Sequence, residues 1–414
     1  MAERVGHVAI IGNGIAGLSA AGAVRERDSR CRITLIGEEN ALTYSRPMLT
    51  KAALRGFDAA RFTLFDEDWY AARRIDLKLG CRVTDIDPDA RILSLSDGTS
   101  FEYDRCILAV GASCLIPPIP GREKDRVFGI RDIESIMNIR GAMASARRVV
   151  IIGGGVIGME MAWELKRAGC SLTILELAPA LMGRFLDEEF SQLLKDRLRA
   201  SGIDVRTGIQ IETVTGDDRV EGVRLTNGEF FAAEMVIISC GIRPNTETAA
   251  RAGCTVNRGI VVNERMETDV SGIFACGDCV ELPGFNPGVW TAAEAQGSVA
   301  GANAVGARVS FEPAPGGVLI NGFGSYIFAL GDAGRNPDCD YEILNFDSAG
   351  TKDSSFFVND EMRTFQGREK YFFSEGRLVG GLLTGDPEAP EILKPGIEQR
   401  MRKDAFLKSR RGLG

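Results

Sequence analysis

Two stretches of this chain carry the same layout, and that repetition restricts the fold more than any other feature. The first runs His7-Val-Ala-Ile-Ile-Gly-Asn-Gly-Ile-Ala-Gly17, continues through Leu18–Arg27 and closes on Arg32-Ile-Thr-Leu-Ile36. The second runs Arg148-Val-Val-Ile-Ile-Gly-Gly-Gly-Val-Ile-Gly158, continues through Met159–Ala168 and closes on Ser171-Leu-Thr-Ile-Leu175. Each reads as strand, glycine turn, helix, strand. The strands are short β-branched runs without polar alternation, as parallel strands covered on both faces require. This is one supersecondary unit used twice, not a solenoid.

Gly12, Gly14 and Gly17 give G-x-G-x-x-G in the first copy, and Gly153, Gly155 and Gly158 give it in the second. The first glycine makes the turn, the second lets a pyrophosphate approach the backbone, and the third lets helix pack on strand. The helix N-terminus then offers free N–H groups and partial positive charge to phosphates. Glu38 and Glu39 end the next strand in the first copy, and Glu176 does so in the second. A carboxylate there accepts ribose hydroxyls. At Glu176 it would repel a 2′-phosphate, so NADH is expected rather than NADPH, with Arg184 the nearest following cation.

Length and charge narrow the class further. The 414 residues suggest two or three domains. The 49 Lys+Arg against 57 Asp+Glu leave a net charge of −8, which argues against a nucleic-acid binder. One histidine, His7, disfavours His-rich metal sites and a Ser-His-Asp triad; it reads as a strand-edge residue. The longest uncharged stretch, Pro313–Gly331, holds two prolines and five glycines and reads as turn and strand, not a membrane span. The N-terminus has no signal-peptide layout, so the ten cysteines are expected as reduced thiols in a cytoplasmic protein.

Between the copies, Thr63–Tyr70 and Ile75–Asp87 read as a short helix and strands. Arg91–Leu95 and Phe101–Val110 read as a hairpin across Asp97-Gly98. Gly111–Pro120 reads as an extended linker. Glu188–Ser201 is expected as a helix, and Val205–Gly208, Val220–Thr226 and Phe230–Ser239 as strands. Gly301–Ala307 closes a helix. From about Phe311 shorter strands are expected. The charged tail Ile397–Arg411 is expected either as a frayed, solvated helix or as an arm that docks an acidic partner.

With two fingerprints in place, three further segments complete a pattern. They are Thr268-Asp-Val-Ser-Gly-Ile-Phe-Ala-Cys-Gly-Asp278, Ser239-Cys-Gly-Ile-Arg-Pro-Asn245 and Gly288-Val-Trp-Thr-Ala-Ala-Glu-Ala-Gln-Gly297. Together they resemble the two-dinucleotide-binding flavoproteins of the pyridine nucleotide-disulfide oxidoreductase family, from about Val8 to Gly306 and more loosely to Asp386. The resemblance implies an α/β chain with two Rossmann-like domains and a C-terminal α+β domain. Residues 1–112 with 245–310 would bind FAD, 113–244 NAD(H), and 311–414 would form the interface or acceptor domain. Asp278 would hold the ribityl or pyrophosphate region. The helix that begins near Trp290 would face the flavin N1–C2=O edge.

Leu42-Thr-Tyr-Ser-Arg-Pro-Met-Leu-Thr-Lys51 resembles the Tyr-x-Arg-Pro-x-Leu-Ser-Lys pattern of reductases that feed rubredoxin, ferredoxin or a nitrite reductase. It implies Arg46 and Lys51 beside the flavin. Glu160 matches a family glutamate near the nicotinamide, and a buried carboxylate there needs a partner such as Lys51. Lys51 and Glu160 are thus the catalytic candidates. The cofactor-binding candidates are the six fingerprint glycines, Ala16, Glu38, Glu39, Arg46, Val83, Gly111, Ile157, Glu176, Gly241, Gly277, Asp278 and Trp290, together with Lys51 and Glu160. No metal site is expected.

Disulfide reductases of the family carry reactive cysteines on the helix after the first unit. This chain has none between Cys31 and Cys81. The flavin itself is therefore expected to pass electrons outward. Cys276-Gly-Asp-Cys279 is a C-x-x-C, but it coincides with the Gly-Asp signature and reads as two packing residues. Cys106 and Cys114 read as core. The function implied is an FAD-dependent NADH oxidoreductase feeding a small iron–sulfur carrier, rubredoxin above ferredoxin, since Val318–Tyr326 departs from the Trp-rich motif of reductases that serve oxygenases. An NADH oxidase and a flavin-bearing subunit of a larger redox complex are the alternatives, and a homodimer stays open. Exposed aromatics at Phe356-Phe357 or Tyr371–Phe373 would suit the subunit; core of the last domain is the plainer reading of them.

Overall fold

The computed structural model describes residues 5–51, 54, 56, 58–283, 288–323, 325–350, 365–385 and 390–411. Phe356 and Phe357 lie outside them. The chain divides into two compact units. One comprises residues 1–49, 56–114 and 242–313; the other comprises 50–55, 115–241 and 314–414.

The first unit is built on a five-stranded parallel sheet. Its order is Ile273–Ala275, Arg105–Leu108, His7–Ile11, Arg32–Ile36, Ile75–Lys78. His7–Ile11 lies at the centre, and Val8 to Ile10 are fully buried, as a run without alternation demands. The helix Ile15–Arg27 packs against Trp290–Ala304 with backbone on backbone. A Cβ on Gly297 would sit 2.1 Å from the Ala16 carbonyl oxygen, and one on Gly301 2.2 Å from that of Ala20. The helix spacing allowed by these two glycines seats the later segment on the first fingerprint.

The second unit repeats the plan. Its parallel sheet runs Asp204–Thr207, Ser171–Glu176, Arg148–Ile152, Met235–Ile238, Val127–Gly129. Val127–Gly129, the helix Ile133–Met143 and the strand Ile211–Thr215 were not anticipated from sequence. The helix is set by a capping box, with the Asp132 side chain on the Ser135 N–H and the Ser135 hydroxyl on the Asp132 N–H. The expected helix over Glu188–Ser201 is present as Glu188–Ala200.

Two expected long strands are each broken in the same way. Phe101–Val110 splits into Ser100–Glu102, in an antiparallel meander, and Arg105–Leu108, in the parallel sheet. Phe230–Ser239 splits into Phe230–Ala232 and Met235–Ile238. An acidic residue makes each crossing. Asp104 accepts the Gly6 and His7 N–H groups at 2.6 and 2.8 Å, and Glu234 accepts those of Arg147 and Arg148 at 2.7 and 3.1 Å. Each carboxylate satisfies backbone donors at the open end of the central strand.

The chain after Phe311 is an antiparallel sheet within the second unit. Its order is Gly317–Gly322, Ser325–Gly331, Arg377–Thr384, Phe365–Ser374, Glu342–Gly350. The strands are not short: Glu342–Gly350 has nine residues and Phe365–Ser374 has ten. Pro313–Gly331 contributes a hairpin, and no helix among the described residues is long and apolar enough to cross a membrane.

The tail is helical, as one of its two readings expected, with Lys408 exposed, but it is packed rather than frayed. It forms the helices Pro390–Glu398 and Lys403–Arg411 on the sheet. Phe406 is fully buried, with its ring 4.8 Å from Tyr371 and 5.9 Å from Phe373, and Arg410 pairs with buried Glu369 at 2.7 Å. The Tyr371–Phe373 aromatics are core, as their plainer reading expected. Phe406→Ala is expected to cost about 3–5 kcal/mol, the range for emptying a buried aromatic site. Urea unfolding should show the midpoint shift, and a change below about 1 kcal/mol would mean the tail is not part of this core.

Candidate active site

Within each fingerprint the three glycines have different reasons to be glycine. A Cβ on Gly12 would lie 2.1 Å from the Ala109 carbonyl oxygen, and one on Gly17 would lie 1.9 Å from that of Gly12. In the second copy, Gly153 would meet Ser239 at 2.3 Å and Gly158 would meet Gly153 at 2.3 Å. Protein packing alone demands these four. The middle glycines differ: a Cβ on Gly14 or Gly155 would meet no described atom within 4 Å. Gly14 and Gly155 are also the N-caps of their helices, and neither cap has a side-chain hydrogen bond. The first-turn N–H groups are thus left to a ligand, and bare backbone faces open space at both turns. That geometry fits a pyrophosphate at each. Ala16 is buried behind the first turn, and Ile157 is half-buried in the second.

The carboxylates that follow are placed unequally. Glu176 is anchored to its own turn. Its Oε2 accepts the Gly154 N–H at 2.5 Å and its Oε1 the Ala178 N–H at 2.7 Å. Glu38 is exposed and pairs with the equally exposed Arg82. Glu39 accepts from the Tyr44 hydroxyl at 2.7 Å and from Arg46, whose guanidinium also donates to Tyr44 at 2.8 Å. Arg46 and Glu39 are therefore partners of each other. Glu38 is the more exposed carboxylate of the two, 63% against 35% for the Glu39 side chain.

The Gly-Asp segment closes the first unit. Gly277 has a φ of +82°, and a Cβ there would approach that of Ala16 to 2.9 Å, so its backbone rests on the first turn of the fingerprint helix. Asp278 accepts the Gly288 N–H at 3.1 Å. Trp290 begins the following helix, whose N-cap Val289 also lacks a side-chain hydrogen bond. Gly111 is in the left-handed region with φ +64°, and its carbonyl accepts the Asn245 N–H at 3.0 Å. In the second unit Gly241 has φ +111° and open space beside it. Val83 is buried at the start of its strand.

Gln296 was not singled out from sequence. It is buried; its Oε1 accepts the Gly277 N–H at 2.8 Å, and its Nε2 has no hydrogen-bond partner among the described residues. A buried donor left over beside the Gly-Asp turn fits an acceptor supplied by a cofactor.

Lys51 and Glu160 come together in the second unit. Lys51 Nζ lies 3.6 Å from Glu160 Oε1. Glu160 projects from the helix Val156–Arg167 and its side chain is 15% exposed. Burial raises its pKa, while the Lys51 charge and a hydrogen bond from the Thr50 hydroxyl oppose that shift. The pair that a buried carboxylate needed is present. Thr50 was missed, although it fills the hydroxyl slot before the lysine in the pattern quoted above.

Cys276 and Cys279 are fully buried and free. The Cys279 thiol donates to the Leu108 and Cys276 carbonyls, and burial pushes its pKa up to about 12 and that of Cys276 well above the ordinary thiol range. Neither supplies a thiolate at neutral pH. Cys276→Ser with Cys279→Ser is expected to leave the rate of electron transfer within about twofold of wild type. Steady-state turnover with a dye acceptor checks this, and a tenfold loss would make the pair redox-active. Cys106 is buried and Cys114 half-buried; His7 bridges the Glu102 carbonyl at 2.7 Å and the Thr34 hydroxyl at 2.9 Å at the strand edge.

The family pattern of pyridine nucleotide-disulphide oxidoreductases matches residues 6–297. The chain belongs to that family. It is 37% identical over 277 residues to the ferredoxin reductase component of a chlorobenzene dioxygenase from Cupriavidus sp. strain PS12, covering 67% of this chain and 68% of that one. It is 36% identical over 320 residues to an NADH oxidase of Methanocaldococcus jannaschii, covering 73% and 71%. The crystal structure of NADH:rubredoxin oxidoreductase from Clostridium acetobutylicum matches with a TM-score of 0.73 at 26% identity, over 98% of this chain and 100% of that one. The expected class, an oxidoreductase of FAD and a pyridine nucleotide with Rossmann-like sheets, holds.

Proposed function

We propose that this member of the family takes electrons from NADH through FAD and delivers them singly to a small iron–sulfur carrier of the rubredoxin or ferredoxin type. The observation that carries the reading is the pair of bare glycine cradles, one per unit, in a chain whose C-x-x-C is buried and protonated. Two cradles call for two dinucleotides. With neither thiol of that pair available as a thiolate, no relay runs through it and transfer from the flavin is direct. The likeness to a ferredoxin reductase component and to NADH:rubredoxin oxidoreductase supports a one-electron acceptor.

In this reading residues 1–112 and 245–310 hold FAD, residues 113–244 hold NADH, and residues 311–414 form the acceptor or interface domain. The chemistry FAD supplies when bound is acceptance of a hydride and release of single electrons. The chain's own work is to orient and to exclude water. Gly14 and Gly155 admit the pyrophosphates, and Glu176 holds the NADH ribose. Asp278 and Gln296 secure the flavin side. Glu160, fixed beside Lys51, orients the nicotinamide end.

The test is anaerobic mixing with NADH, followed by challenge with rubredoxin, ferredoxin and oxygen in turn. The flavin should bleach with NADH and recover fast with one of the two carriers. Fast recovery with oxygen alone would instead make the protein an NADH oxidase, the activity named for its Methanocaldococcus jannaschii relative. Bleaching with no fast acceptor would leave an electron-entry subunit of a larger complex.

A further inference from the structure

Glu160 has two neighbours of different strength. Lys51 Nζ stands 3.6 Å from Oε1, beyond ordinary hydrogen-bond distance, and the lysine side chain is 49% exposed. Water screens such a charge. Thr50 is 5% exposed, and its hydroxyl donates to Oε2. The Lys51 charge is the larger influence that opposes the burial of Glu160, and the Thr50 hydroxyl is the closer, buried donor beside it.

Among the described residues, the elements packed on its helix bring no further charge to the carboxylate. The strand Arg148–Ile152 is aliphatic apart from Arg148, which pairs with Glu234 at 3.1 Å. The strand Ser171–Glu176 carries only Glu176, which is held by Gly154 and Ala178. The strand Gly317–Gly322 is uncharged. On the helix itself Glu164 lies one turn on, 3.9 Å from Arg167.

A hydroxyl gives its strongest hydrogen bond to an ionised acceptor. We propose that Thr50 is a positioning residue: its hydroxyl fixes the Glu160 carboxylate in one rotamer and holds it ionised while it is buried. The inference rests on the catalytic reading of Glu160 above and extends it to the residue whose hydroxyl Glu160 accepts. Thr50 acts through Glu160, so Lys51 and the nicotinamide end meet a fixed negative charge rather than a mobile or neutral acid.

The sign of the effect on stability follows from burial. A carboxyl whose folded pKa exceeds its unfolded pKa costs nothing at low pH, where both states are protonated. It costs stability as pH rises, because the unfolded chain gives up its proton first. Removing the Thr50 hydroxyl enlarges that cost.

The experiment is a double-mutant cycle on the FAD-loaded full chain, read as melting temperature from pH 4 to 8 without NADH. Thr50→Val is nearly isosteric, so it should fold. Its melting deficit should be small at pH 4 and grow toward pH 8. Thr50→Ser should restore the wild-type curve, and in a Glu160→Gln background the Val substitution should give no pH-dependent deficit. The acid limb of flavin reduction by NADH should also move up by about one pH unit in Thr50→Val, the size expected for one charge-assisted hydrogen bond. A deficit that is the same at every pH, or that persists in the Glu160→Gln background, would reduce Thr50 to a packing residue and overturn the proposal. If Glu160→Gln accepts hydride from NADH at the wild-type rate, the catalytic reading of Glu160 fails. The stability cycle, which involves no NADH, then decides the Thr50 contact separately.

Discussion

Gly14→Val is expected to give a folded protein without flavin. The position separates ligand from fold because nothing described lies within 4 Å of where the new Cβ would stand. The branched side chain would fill the space over the first helix N-terminus and hold a pyrophosphate off the free N–H groups. Loss of several backbone hydrogen bonds to phosphate should weaken FAD by more than a thousandfold, about 4 kcal/mol or more. Gly12→Val makes the contrast. With φ at +114° and the Ala109 carbonyl 2.1 Å away, it should prevent folding instead. Gly155→Val should purify yellow but fail to bleach with NADH. Visible absorbance per mole of protein and circular dichroism measure both halves of the claim. A Gly14→Val protein that is fully yellow would remove the first fingerprint from the cofactor site.

The two strand–turn–helix–strand units and both fingerprints were legible because each rests on a local rule. A β-branched run without alternation, a turn needing glycine and a helix of fixed length leave little choice of structure. The two overextended strands show where such rules stop. Apolar residues lie on both sides of the acidic residue in Phe101–Val110 and Phe230–Ser239, and periodicity does not mark that residue as a break. The break is made by Asp104 and Glu234, whose partners Gly6, His7, Arg147 and Arg148 are nearly a hundred residues away in sequence. In the tail the helix was anticipated and its packing was not, for a related reason. Its Arg and Lys content suggested solvation, but one apolar residue per turn was enough for Phe406 and Ile397 to bury, with Arg410 carried in on Glu369. In the site, the Lys51–Glu160 pairing could be anticipated because a buried carboxylate calls for a cation. Thr50 could not be ranked above other hydroxyls until its distance to Glu160 was known. The same holds for the contact between Glu39 and Arg46, which position in the sequence did not foretell.

The second large effect is expected at Glu176. Both oxygens of this carboxylate are held by backbone donors, Gly154 at 2.5 Å and Ala178 at 2.7 Å. A carboxylate has about four acceptor positions, so two remain for the hydroxyls of an adenine-side ribose. The backbone bonds fix where those positions point, and no reorganisation is needed when NADH arrives. The same fixed negative charge opposes a 2′-phosphate. Glu176→Arg removes an acceptor worth about 1.5–3 kcal/mol to NADH and replaces repulsion of NADPH by attraction. The ratio of kcat/KM for NADH over NADPH should therefore fall by about a hundredfold, with most of the change in KM. Glu176→Gln is the control. It keeps one acceptor and loses the charge, so it should lose discrimination against NADPH while still using NADH. Steady-state kinetics with both nucleotides and a dye acceptor give the ratios. An arginine variant that keeps the wild-type ratio would place nucleotide selection elsewhere, with Arg184, exposed and eight residues further on, the next position to change.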